Sequence, residues 1–237
     1  MLQIKRQRIA RKTKRLQRLL EVVAPHPHAD TPPGDMELLG QPSAKLKAAL
    51  ELIEKELHPL LDVALQYPGK SKESCILCSE TTRAFLFRIG FRNARTVPVF
   101  FYLDATRGDT PVRSVGIGDP RGHRRGIDPG DRWNGHAVVL ADGFLIDTTL
   151  YGAQRPEYQL AGMMAVELFP ADRPPLHISG HRILTGMEAQ TGDLQLKLMW
   201  ADQPTNLEYL SAPDYKRRHV RDRVAGQLVA LYRRQYL

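Results

Sequence analysis

The stretch SKESCILCSETTRAFLFRIGFRNAR, residues 71–95, decides how this chain is read. It has the form of a single helix. Ser71 or Ser74 can cap its N-terminus, and Gly90 stands where a helix commonly ends. Ile76, Leu77, Ala84, Phe85, Leu86, Phe87 and Ile89 go most of the way round, which predicts burial on more than one side. Both cysteines of the chain, Cys75 and Cys78, fall in the first turn or so. The unpaired N–H groups and the helix dipole there favour a thiolate.

A partner for that thiolate stands some sixty residues on, in WNGHAVVLADGFLIDTTL, residues 133–150. Ala137 to Leu140 is an apolar β-type run, Ala141-Asp142-Gly143 is a turn signal, and Phe144 to Ile146 is a second apolar run. The pattern predicts a hairpin with His136 opening one strand and Asp147 closing the next. In an antiparallel pair those ends are neighbours. An Nδ1–H to carboxylate bond would leave Nε2 facing a cysteine. Cys75, His136 and Asp147 are therefore the expected nucleophile, base and orienting group.

These residues carry a resemblance. A Cys at a helix start (Cys75), then Gly90-Phe91-Arg92-Asn93-Ala94-Arg95, then Gly135-His136-Ala137, then Asp147-Thr148-Thr149, resembles the catalytic core of the transglutaminase-like superfamily. That superfamily is a circularly rearranged relative of the papain-like fold. Arylamine N-acetyltransferases share the core, and their helix also ends in Gly-Phe, as Gly90-Phe91 does here. The resemblance covers residues 71–150. It implies an α+β fold with a papain-like, transglutaminase-like core, the catalytic helix packed on an antiparallel sheet; the residue patterns at the two ends of the chain add helical extensions. It also implies a Cys75–His136–Asp147 triad that acylates on Cys75, with no cofactor and no metal. Hydrolysis of a peptide or amide bond, as in a thiol protease or amidase, is the expected reaction. Transfer to an amine, of the transglutaminase or N-acetyltransferase type, is the alternative. The substrate would be a peptide, a protein or a small amide.

At 237 residues the chain can bury a large core without a disulfide or metal. Cysteines at i and i+3 of one helix would close almost no loop, so they do not read as a structural crosslink. No apolar run approaches the length of a transmembrane helix, and Leu19 to Ala24 is too short and too interrupted for a signal peptide. The reading is a cytoplasmic protein. Residues 1–20 hold eight Lys/Arg and no acid, enough to account for the whole formal net charge of +8. This basic helical arm either touches a nucleic acid, an anionic membrane or an acidic protein, or is a solvated tail. Residues 1–42 thus read as arm plus Pro-rich linker (with His26 and His28 exposed), and residues 43–237 as the catalytic domain.

Ser43 caps a helix to Gln66 with Leu46, Leu50, Ile53 and Leu57 on one face, and Pro59 predicts a kink or split. Gln66, or N–H groups around Cys75, could form an oxyanion hole. Thr96 to Leu103 reads as a strand, with Pro98 near an edge or bulge. Asp104 to Gly135 reads as a long loop, with Gly116 to Asp131 a flap in which Arg121, Arg124 and Arg125 would select an anionic substrate. His123 is a rival base without strand context, and Trp133 would line the cleft. Tyr158 to Phe169 is ambiguous between helix and strand. His181–Gln190 and Leu194–Ala201 read as a second hairpin, and Asp214 caps a terminal basic helix. Three other readings stay open. Cys75-x-x-Cys78 at a helix start is also a dithiol redox geometry. The same cysteines with two histidines have the local spacing of a zinc site. The fold could also serve as a non-catalytic binding module acting through its basic ends.

Overall fold

The computed structural model describes residues 36–118, 133, 135–178 and 180–237. The basic arm, His26, His28, Arg121, His123, Arg124 and Arg125 lie outside the described residues. The described fold is α+β. Helices α1 (Ala44–Leu65), α2 (Cys75–Arg88), α3 (Pro213–Lys216) and α4 (Arg218–Tyr236) accompany nine strands. These are β1 (Met36–Leu39), β2 (Arg95–Arg107), β3 (Thr110–Ile117), β4 (His136–Ala141), β5 (Phe144–Asp147), β6 (Met163–Glu167), β7 (His177–Ile178), β8 (His181–Thr191) and β9 (Leu194–Asp202).

α1 starts where the sequence places it: Ser43 Oγ accepts the N–H of Leu46 at 3.2 Å. Its stripe of Leu46, Ala49, Leu50, Ile53, Leu57 and Leu61 is buried. The helix is not split at Pro59. The ring is exposed, and the helix and its buried stripe continue beyond it to Leu61. α2 is capped by Ser74, whose Oγ accepts from Leu77 N at 3.3 Å. Ser71 instead lies buried in the 3-10 turn before it. α2 ends as expected, with Gly90 at φ 107° and Phe91 N–H bonded back to Leu86 O. Leu77, Phe85 and Leu86 pack into one core with α1 and α4, while Ser79 Oγ donates to Ala137 O of β4 at 2.7 Å.

The strand order is β1-β6-β5-β4-β2-β9-β8-β7, with β3 on β2, and only β1–β6 is parallel among the described pairs. The sheet curls until the end of β6 reaches β8: Phe169 N–H bonds Leu184 O, and Thr185 Oγ1 donates to Glu167 O. Alternation along the strands then separates two cores. Val139, Ala141, Phe144 and Ile146 face the helices. Val138, Leu145, Phe101, Leu198 and Trp200 face the inside of the curl.

Four expectations are corrected. Pro98 is in the long central strand β2, not at an edge. Its carbonyl takes Gln203 N–H just past the end of β9, so its missing N–H falls where no ladder partner is needed. Residues 104–117 are not loop but the second half of β2, a turn at Gly108 (φ 53°) and β3. Met36–Leu39, placed in the linker, adds a strand to β6. Asp214 caps no long helix: the chain breaks at Arg217 between α3 and α4, and Asp214 Oδ2 accepts a hydrogen bond from the Ser74 hydroxyl. Of the ambiguous stretch 158–169, Met163–Glu167 form strand β6 and no part is helical.

Candidate active site

Cys75 is the first residue of α2, His136 the first of β4 and Asp147 the last of β5. The β4–β5 register pairs Val139 with Ile146, so Asp147 falls opposite Val138 and diagonal to His136 on the same face. His136 Nε2 lies 2.7 Å from Asp147 Oδ2, with both side chains buried. This corrects the expected ring orientation. Because the carboxylate is diagonal rather than directly across, the distal nitrogen reaches it. Nδ1, nearer the backbone, is the nitrogen left for Cys75, which also helps to raise the His136 pKa.

Two donors that the sequence did not reveal fix Asp147. Trp200 Nε1–H donates to Oδ2 at 2.8 Å, and Thr149 N–H to Oδ1 at 3.1 Å. Trp200 occupies an inward position of an alternating strand, and a buried indole N–H needs an acceptor. That signal announces a partner without saying which. Burial opposes charge on His136. The Asp147 carboxylate, by its charge and its hydrogen bond, and then Cys75 outweigh it and push His136 up to about 10. A pKa raised this far favours the imidazolium form of the ring at neutral pH.

The Cys75 thiol is half-buried and opens into a groove of about 790 Å³, with Trp133, Ile76, Tyr151, Lys72 and Asp214 in its walls. Trp133 is pinned by its Nε1–H to Asn206 Oδ1 at 2.7 Å and by its ring against Tyr209. Gly135 is needed beneath it, since a Cβ there would sit 2.0 Å from the indole. The first-turn N–H groups of Cys75 and Ile76 have no intrahelical acceptor and can serve an oxyanion. Gln66 is not brought to the site. It is the exposed, left-handed C-cap of α1 and does not line the groove.

Cys78 takes a different role. It is fully buried, its Sγ–H donates to Ser71 O at 3.2 Å, and burial, then the charge of Cys75, pushes its thiol well above the ordinary value. Ser71 in turn meets His58 Nδ1 at 2.8 Å, and His58 Nε2–H donates to Thr148 O at 2.9 Å. His58 thus ties α1 both to the turn before Cys75 and to the residue after Asp147. Asp62 anchors that turn by accepting Ser71 N–H and Gly69 N–H. Burial raises its carboxyl, but the Ser71 and Gly69 hydrogen bonds outweigh this and hold it below the ordinary value.

No family model matches this sequence, and neither the curated proteins nor the solved structures include a match. Among the described residues, no helix is long and apolar enough to cross a membrane.

Proposed function

We propose that this chain is a thiol hydrolase of the transglutaminase-like, papain-related type, which cleaves a peptide or amide bond through an acyl-enzyme on Cys75. The single observation that carries the reading is the array itself: a half-buried cysteine at a helix N-terminus, beside a buried imidazole that a buried carboxylate holds through Nε2. The Cys75 thiolate attacks the substrate carbonyl, and the free N–H groups of the first helical turn stabilise the oxyanion. The His136 imidazolium gives its proton to the departing amine. His136, now neutral, takes a proton from water, and the hydroxide frees the acid and the thiol. Asp147 keeps the ring in the tautomer and orientation both steps need. The open groove and its aromatic walls suit a peptide or a substituted amide.

The test is turnover of a panel of peptidyl-aminocoumarin amides by the wild type, Cys75→Ala and His136→Ala, with mass analysis of the tryptic peptide that contains Cys75. Release of coumarin and an acyl adduct on Cys75, both absent in Cys75→Ala, are expected. Turnover that survives Cys75→Ala would contradict the proposal. Adding a primary amine to the same assay separates hydrolysis from transfer.

A further inference from the structure

Two free thiols begin the same helix, and their surroundings differ. Cys75, at the first helical position, is half-buried and faces the groove. Cys78, at the fourth, has no exposed surface and is held against Ser71 O. Oxidants in solution reach the first and not the second.

We propose that Cys75 and Cys78 form a reversible disulfide, which makes the nucleophile an oxidative modification site with Cys78 as its resolving thiol. The proposal rests on the reading of Cys75 as the reactive thiol. Helix rise and radius put the two Cα atoms about 5 Å apart, inside the range a disulfide spans. Their Cβ atoms, at roughly 5–6 Å for residues three apart, must close by about 1–2 Å. The end of a helix can give by that much: the N–H of Cys75 has no intrahelical bond to lose. The bond so formed closes a very small ring, is strained, and is easily reduced, as a regulatory disulfide must be.

The chemistry balances with a hydroperoxide as oxidant. The Cys75 thiolate attacks the outer peroxide oxygen and the O–O bond breaks. An alcohol or water leaves with a proton from His136, and the sulfur becomes a sulfenic acid. The Cys78 sulfur then attacks the Cys75 sulfur. The S–S bond forms, the S–O bond breaks, and the Cys78 proton leaves with the hydroxyl as water. A dithiol reverses the step and is itself oxidised. While the disulfide stands, Cys75 can form no acyl-enzyme, and it is shielded from irreversible sulfinic and sulfonic oxidation.

Trypsin cleavage after Lys72 and Arg83 places both cysteines in one peptide, ESCILCSETTR. The experiment treats the folded full chain with one equivalent of hydrogen peroxide, then blocks free thiols and weighs that peptide. In the wild type it should lose two hydrogens and recover them with dithiothreitol. In Cys78→Ser, and in Cys78→Ala should the first variant fold poorly, it should instead gain oxygen at Cys75, progressing to forms that dithiothreitol does not reverse. A wild-type peptide that gains oxygen as fast as the variants, with no loss of hydrogen, overturns the proposal. The readout is mass rather than turnover. A chain that forms the disulfide but cleaves no amide therefore refutes only the catalytic reading, and one that cleaves but over-oxidises refutes only the disulfide.

Discussion

Replacing Asp147 by Asn keeps the size of the side chain and removes its charge. All three partners of this carboxylate are donors: His136 Nε2–H and Trp200 Nε1–H on Oδ2, and Thr149 N–H on Oδ1. An amide has one oxygen, so either rotamer turns its NH₂ toward a donor, and each buried donor left unpaired costs about 1–3 kcal/mol. The larger effect falls on His136. Burial disfavours its charge, and Asp147 is the main force that overcomes this to reach about 10. Without it the ring should titrate at or below the ordinary 6.5, a fall of about 3.5 pH units or more and on the order of 5 kcal/mol. At pH 7 the ring would then be mostly neutral, and turnover should drop on the order of a thousandfold.

Two assays follow. The His136 Cε1–H resonance, titrated by NMR, should move its midpoint from near 10 to near or below 6.5. Urea unfolding against pH supplies the sign. A raised histidine pKa contributes stability that is full below pH 6.5 and is lost as the pH rises through about 10. The stability gap between wild type and Asp147→Asn should therefore narrow toward pH 10, leaving only the cost of the unpaired donors. The same NMR midpoint in both proteins, or a gap that does not change with pH, would refute the reasoning.

Two further substitutions probe the supports of the site. Trp200→Phe removes a donor from Asp147 Oδ2 and leaves space beside Phe101. The expected loss is about 2–5 kcal/mol, with the His136 midpoint moving up rather than down, because the carboxylate then has one proton fewer to share. Unfolding curves and the same NMR titration check both signs. His58→Leu leaves Thr148 O without its imidazole donor and Ser71 without its imidazole partner. It should lower kcat about tenfold with little change in KM, and His58→Gln, which can still donate to Thr148 O, should recover part of the loss.

The sequence was informative where structure is decided locally. Ser43, the spacing of Leu46 to Leu57, Ser74, Gly90 and the Asp142-Gly143 turn each act within a few residues, and α1, α2 and the β4–β5 hairpin stand where those signals place them. Long-range register was not legible. β3 was missed because its side chains are mostly exposed and lack an apolar run. Pro98 looked like an edge residue because nothing near it in sequence says that β9 ends opposite it. The hold of Trp200 on Asp147, 53 residues away, and the strut from His58 to Thr148, 90 residues away, exist only after the sheet has curled and α1 has packed on it. Asp214 reads as a cap from its neighbours alone. Its pull toward Ser74, 140 residues earlier, belongs to the tertiary fold.

The central claim is that Cys75 is a reactive thiol made so by His136, while Cys78, held in the core, is out of reach of reagents in solution. The most direct measurement is the rate of iodoacetamide alkylation at each cysteine against pH, read by mass spectrometry on ESCILCSETTR in the wild type and in His136→Ala. The account predicts fast labelling of Cys75 already at pH 6, loss of that reactivity in His136→Ala, and negligible labelling of Cys78 in the folded protein. Slow labelling of Cys75 with an ordinary thiol pH profile, unchanged by His136→Ala, would contradict it.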